Sequence, residues 1–135
     1  MVLGRDDYRK KTARRYVEIE LPSGGTARLR SITEKERAEF ETATLRVNGG
    51  KRKDGGIQID KNALMTARCR MIALCLVDGS DERIFADTEI DLIMQMGAAD
   101  TKALGDACDS LNGGNEEDYK ELLKNSEQIH VVDSQ

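Results

Sequence analysis

The residues best equipped for chemistry are one histidine and three cysteines, and their placement argues against a reactive centre. His130 stands in a polar C-terminal stretch, whereas a catalytic imidazole needs a rigid setting and an orienting partner within hydrogen-bond reach. Cys69 and Cys75 fall on one predicted helix, about 240° apart around its axis, so they point to different sides. Cys108 follows far downstream, and with no C-x-x-C pair and no companion histidine a zinc site is not expected. All three cysteines read as small core residues. Asp78-Gly79-Ser80-Asp81-Glu82 concentrates oxygen ligands but lacks the longer ligand series and terminal bidentate glutamate of a calcium loop, so it reads as a turn. Gly50-Lys51 lacks the earlier glycine, the following Ser/Thr and the βαβ setting of a phosphate loop. No residue is expected to be catalytic, cofactor-binding or metal-binding, and the chain is not expected to be an enzyme.

Charge is the next candidate. Residues 1–77 carry 17 Lys/Arg against 10 Asp/Glu, and residues 78–135 carry 4 against 15, which makes up the net −4. Such polarity favours head-to-tail contacts and steers charged partners. The clusters Arg9-Lys10-Lys11, Arg14-Arg15 and Lys51-Arg52-Lys53 could touch phosphates. Nucleic-acid binding also calls for a reading helix or stacking aromatics on a positive face. Only Tyr8 and Tyr16 lie near, and the pI is about 5.1, so nucleic acid is not the expected partner.

These residues are positioned by a chain of 135 residues, enough for one domain with a core of its own. With no Trp and five other aromatics, that core must rest on Leu, Ile, Val, Met and Ala between helices. Residues 1–14 read as a flexible basic arm, 15–125 as the single globular domain and 126–135 as a flexible tail. Tyr16 to Leu21 alternates with period two, Pro22-Ser23-Gly24-Gly25-Thr26 is turn chemistry, and Ala27 to Arg30 alternates again. Pairing Leu21 with Ala27 and Ile19 with Leu29 gathers the apolar side chains on one face and sets Glu20 against Arg28 and Glu18 against Arg30 on the other.

Thr33-Glu34-Lys35-Glu36 is a capping box that opens a helix to about Val47, with Phe40, Ala43 and Val47 inward. The glycine-rich stretch from Asn48 to Gly56 ends it, and residues 48–58 read as a mobile loop. From about Asp60 to Val77 a central helix is expected, carrying Leu64, Met65, Cys69, Met71, Ile72, Cys75 and Leu76. Asp87 is the expected N-cap of a short helix ending near Gly97, with Ile90, Ile93 and Met94 inward. A further helix carries Leu104, Ala107, Cys108 and Leu111 and stops at Asn112-Gly113-Gly114. Asn115 caps a last one with Tyr119, Leu122 and Leu123. The fold class is α+β, mostly helical: an N-terminal antiparallel β-hairpin followed by about five α-helices.

Nothing marks the chain for export. The basic N-terminus is followed by no apolar stretch, and the longest apolar run, Met71 to Val77, is far too short to span a bilayer. An odd count of three cysteines fits a reducing compartment.

Three stretches taken together carry a resemblance: the hairpin running into the capped helix (Tyr16 to Glu41), Ala67 to Asp78 with its continuation Arg83-Ile84-Phe85-Ala86-Asp87, and Ala107 to Glu117 containing Leu111-Asn112-Gly113. In this order they resemble the tail assembly chaperones of long-tailed (siphovirus-type) bacteriophages and prophages, over about residues 14–125. The resemblance implies a non-catalytic role in the host cytoplasm, binding the tape measure protein, helping to gather tail tube protein around it, and leaving no place in the mature virion. Self-association is a further option; no membrane or cofactor is implied. The competing classes are a minor structural tail component and a small DNA-binding regulator. The methionines Met65, Met71, Met94 and Met96 suit either adaptable helix binding or simple core filling. Many such chaperones are made in a short and a frameshifted, extended form, the short one being implied here. A −1 slip is then expected at the codons of Leu123-Lys124-Asn125 or of Gly113-Gly114-Asn115. Gene sequencing checks this: a slippery heptamer at one of them should lead into an overlapping open frame.

Overall fold

The alternating segments form the strands. In the computed structural model, which describes residues 1–47 and 61–113 and the side chains of 1–43 and 66–113, β1 (Tyr16–Glu20) and β2 (Thr26–Arg30) pair antiparallel. The register is Val17 opposite Leu29 and Ile19 opposite Ala27, two residues away from the expected pairing. The turn decides this. Leu21 N–H donates to Gly25 O at 2.9 Å and Gly24 N–H to Leu21 O at 2.9 Å, so only Pro22, Ser23 and Gly24 form the tip. Gly24 (φ 103°) and Gly25 (φ 90°) hold backbone conformations that side chains disfavour. An even shift leaves each side chain on its expected face: Val17, Ala27 and Leu29 are buried, and Glu18 meets Arg28 at 3.3 Å in place of Arg30.

The capping box starts α2 (Glu34–Val47) as expected. Thr33 Oγ1 accepts Glu36 N–H at 3.3 Å, and Glu36 Oε1 accepts Thr33 N–H at 2.9 Å. Phe40 and Ala43 are half-buried. The side chains of Val47, Leu64 and Met65 lie outside the described ones, as do the 48–58 loop, the helix expected from Asn115 and the 126–135 tail with His130.

α3 (Lys61–Cys75) packs against α2, α4 (Ile90–Met94) and α5 (Ala98–Asn112), the central place expected for it. It ends two residues early, because Leu76 and Val77 form a strand, β3, with no intervening loop. The third strand pairs antiparallel with β2, Leu76 opposite Leu29 and Val77 opposite Arg28, giving the sheet order β1-β2-β3. An open edge of β2 offers these two apolar residues a ladder and burial at once, which outweighs another half-turn of helix. Arg83 then donates from Nε to Ala73 O at 3.0 Å, satisfying a carbonyl that the helix end leaves without an amide.

The acidic stretch after β3 is a turn. Asp78 Oδ1 accepts the N–H groups of Ser80 (2.8 Å) and Glu82 (3.1 Å), while Asp81 takes a left-handed backbone (φ 64°) that Asp tolerates. A 3₁₀ turn at Asp87–Glu89 leads into α4 (Ile90–Met94). Asp87 is not its cap; the preceding residue is Ala86, whose N–H is taken by Glu89 Oε1 at 2.8 Å, and Asp87 instead pairs with Arg83 at 2.7 Å. α4 ends at Met94, short of Gly97, and Met94 turns outward at 41% exposure in place of entering the core. On so short a helix, Ile90 and Ile93 already fill the inward face.

α5 (Ala98–Asn112) begins before its first expected core residue and buries Leu104, Ala107, Cys108 and Leu111. Its N-terminal turn is tied to the hairpin tip by buried Asp100, which accepts Ser23 N–H at 3.1 Å and Ser23 Oγ–H at 2.5 Å. At the other end Asn112 does more than stop the helix. Its Oδ1 accepts Ile32 N–H at 2.8 Å, and its Nδ2 donates to Cys108 O at 2.9 Å and to Cys75 Sγ at 3.5 Å. The N-terminal arm carries regular structure too: α1 (Arg5–Arg9) and a 3₁₀ turn at Lys10–Thr12, with nothing buried. Arg14, within the expected arm, is anchored to Ser31 O at 2.9 Å.

Losing the Asn112 amide leaves Ile32 N–H without its acceptor and removes the side-chain bond to Cys108 O. Asn112→Ala is expected to cost about 1–3 kcal/mol, read as a lower urea midpoint with unchanged slope.

Candidate partner-binding groove

The three cysteines are all buried. Cys75 and Cys108 face each other across α3 and α5; the hydrogen bond that Cys108 gives to Cys75, with burial behind it, holds the Cys108 thiol far above its ordinary value, and the same bond, with one from Asn112, lowers Cys75 against its burial. Burial likewise raises Cys69. The raised thiols of Cys69 and Cys108 are poor nucleophiles and poor metal ligands. Among the described residues no cluster of His, Cys, Asp or Glu is placed to hold a metal ion, and no helix is long and apolar enough to cross a membrane. The cavity among Glu36, Phe40, Arg70, Leu74, Asp87 and Ile90 is about 80 Å³, well under the roughly 300 Å³ at which small-molecule pockets begin.

Several of the arginines are engaged by acids of the same chain. Arg14 Nη1 lies 2.6 Å from Glu36 Oε1, and Arg30 Nη2 lies 3.5 Å from Glu36 Oε2. Arg28 contacts Glu18 and Asp81 (2.7 Å) and stacks 4.7 Å from the Tyr16 ring centre. On the exposed face of α2, Arg37 pairs with Glu34 and Glu41. Of the candidate phosphate-binding clusters, Arg14 is therefore engaged, Arg9 lies 4.0 Å from Asp6 at the surface, and Lys51-Arg52-Lys53 lies outside the described residues. Among the described residues of these clusters, α1 carries Arg9 with nothing buried behind it, and Arg14 is turned to Ser31 and Glu36.

What the fold does assemble is a groove along α3 and α5. Ala98, Thr101, Gly105 and Asp109 follow one another at helical spacing and form one stripe of α5. Arg68 of α3 lies across the middle of this stripe. A Cβ at Gly105 would stand 2.9 Å from Arg68 Cγ and Cδ, so the bare glycine lets the arginine stem rest directly on α5. That close approach accounts for a glycine within a helix, where it costs about 0.5–1 kcal/mol against alanine. On one side of Arg68 is a hollow of about 480 Å³ bordered by Ile93, Met94, Met96 and Thr101. On the other is one of about 230 Å³ bordered by Phe40, Ala67, Met71 and Asp109. Met94 is exposed and Met71 and Met96 are half-buried, so these methionines are wall as much as core. From Ala98 to Asp109 the stripe runs roughly 16 Å, three helical turns.

With hairpin, helices and groove in place, the architecture can be compared with known structures. The fold is similar to that of the bacteriophage HK97 tail assembly chaperone. The two superpose with a TM-score of 0.55 over 84% of this chain and 100% of the other, at 12% sequence identity. No protein-family model matches the chain, and neither does any curated protein. The tail assembly chaperone-like fold thus rests on tertiary structure at a level where sequence comparison is silent. The sequence did single out the methionines; it did not single out Arg68 or Gly105, although a glycine amid the helical pattern of 98–112 was the signal available.

Glu36 supplies a test of the charge network. Burial pushes its carboxyl upward, but the hydrogen bonds from Arg14 and the Thr33 N–H, with the charges of Arg14 and Arg30, outweigh this and hold it below the ordinary carboxylate value. A folded-state value below the unfolded one stabilises the protein above the carboxylate range, and that stability is lost as pH falls through it. Glu36→Gln should therefore cost about 1–2 kcal/mol at neutral pH. The gap to wild type in urea unfolding should narrow steadily as the pH is lowered through and below the carboxylate range.

Proposed function

We propose that this domain is a non-catalytic phage tail assembly chaperone that binds the tape measure protein and assists assembly of the tail tube around it. The observation that carries the reading is the likeness of its fold to the HK97 tail assembly chaperone across all of that chain. The groove supports it physically. A long helical client exposes apolar stripes that would otherwise associate with one another, and an open, methionine-walled groove of helical length can cover such a stripe. Methionine's flexible, polarizable side chain tolerates many partner sequences, as serial binding along a long chain requires. A chaperone of this kind works in the host cytoplasm and is absent from the finished particle.

Co-expression tests the proposal. Soluble tape measure protein should rise several-fold when this chain is present, and the two should co-purify. Association should slow with added salt, while the affinity falls only in part. The purified chain should leave duplex DNA unretarded at physiological salt. Unchanged solubility together with DNA retardation would favour the regulator reading, and the chain's presence in purified virions would favour the structural component.

A further inference from the structure

The groove reads more specifically than an apolar surface, because a single cation divides it. Arg68 is exposed, lies between the two hollows, and has no carboxylate partner among the described residues. It differs in this from Arg14, Arg28, Arg30, Arg37 and Arg83, each of which holds an acid. Its stem rests on Gly105, which places the guanidinium between the two hollows. A cation at such a spot is costly to cover with apolar surface alone and favourable to cover with a carboxylate able to accept its forked donors. Toward one end of the α5 stripe, Ala98 and Thr101 are small enough for another helix to approach closely, while Gly105 lies beneath the Arg68 stem.

We infer that the α3–α5 groove seats one amphipathic helix of the partner, about three turns long, whose apolar side chains enter the hollows on either side of Arg68 and whose single carboxylate between them pairs with its guanidinium. This inference rests on the chaperone reading and adds which face binds and what it selects. An Asp or Glu placed in the middle of an apolar stripe marks the segments that bind. The uninterrupted apolar stripes of a protein's own core are passed over, because they would bury Arg68 without a partner. Selection thus comes from the cost of the wrong match as much as from the attraction of the right one.

Labelled 20-residue peptides tiling the tape measure protein, titrated against the full-length chain, provide the test. Peptides with a central carboxylate in an apolar stripe should bind best. Arg68→Glu and Met94→Asp should each weaken them at least tenfold, while the melting temperature of the free protein stays within about 2 °C of wild type. The deciding arm is the exchange of charge: replacing the peptide carboxylate by lysine should abolish binding to wild type and restore it to Arg68→Glu. Peptides that bind wild type and both variants alike would overturn the groove assignment while leaving the chaperone reading intact. Melting temperatures lowered by more than about 5 °C would show the groove to be filled by the protein itself and overturn it as well. If co-expression fails to solubilise the tape measure protein, both readings fall together.

Discussion

The side-chain amide of Asn112 joins three parts of the chain that are distant in sequence. Its oxygen takes the N–H of Ile32, 80 residues away, and its nitrogen reaches Cys75, 37 residues away, and the carbonyl of Cys108 one turn back. Each of these groups lies at an end: the exit from β2 toward α2, the last residue of α3, and the final turn of α5. Element ends are where backbone groups lack ladder partners, so one planar amide with a donor side and an acceptor side fits where three ends converge. The geometry it closes also permits the direct passage from α3 into β3. Cys75, Leu76 and Val77 are buried in succession, Cys75 between helices and the next two residues against the hairpin. Sheet and helices thereby share one core, in which Leu29, Ile72, Ile93, Leu104 and Leu111 are almost wholly shielded from water.

Electrostatics follow from that closure. The basic front and acidic back of the sequence meet inside one molecule: Arg28 of the hairpin reaches Asp81 of the turn after β3, on either side of the division at residue 77. Arg14 and Arg30 converge on Glu36, which also caps α2, so a single carboxylate holds the start of the domain, the second strand and a helix terminus. Such pairs contribute little when solvated and more when partly shielded, as these are. Their larger consequence is for function. Guanidinium groups committed to intramolecular acids are less available to phosphates, whereas Arg68, between the two hollows of the α3–α5 groove, has no acid partner among the described residues.

Much of this was written in local pattern. Period-two alternation sets both strands of the hairpin and their inward faces, Thr33 and Glu36 set the start of α2, and Leu104, Ala107, Cys108 and Leu111 set the inward face of α5. These features are decided within a few residues, by backbone sterics, capping and the separation of apolar from polar side chains. The α+β class follows from them, as does the assignment of the cysteines to the core.

Tertiary structure decided the rest, because those choices depend on neighbours distant in sequence. Leu76 and Val77 suit a helix or a strand equally well, and only the open edge of β2 makes them a strand. The hairpin register depends on how Leu21, Gly24 and Gly25 close the tip, a matter of positive φ at two glycines that alternation alone does not specify. Met94 looks like core by spacing and stands outside because Ile90 and Ile93 take the inward face of a five-residue helix. Arg68 and Gly105 acquire meaning only when α3 crosses α5 closely enough for an arginine stem to rest where a Cβ would have been. Local sequence determines which surfaces each element must bury, whereas the meeting of elements determines which surfaces are left over, and a binding groove is made of what is left over.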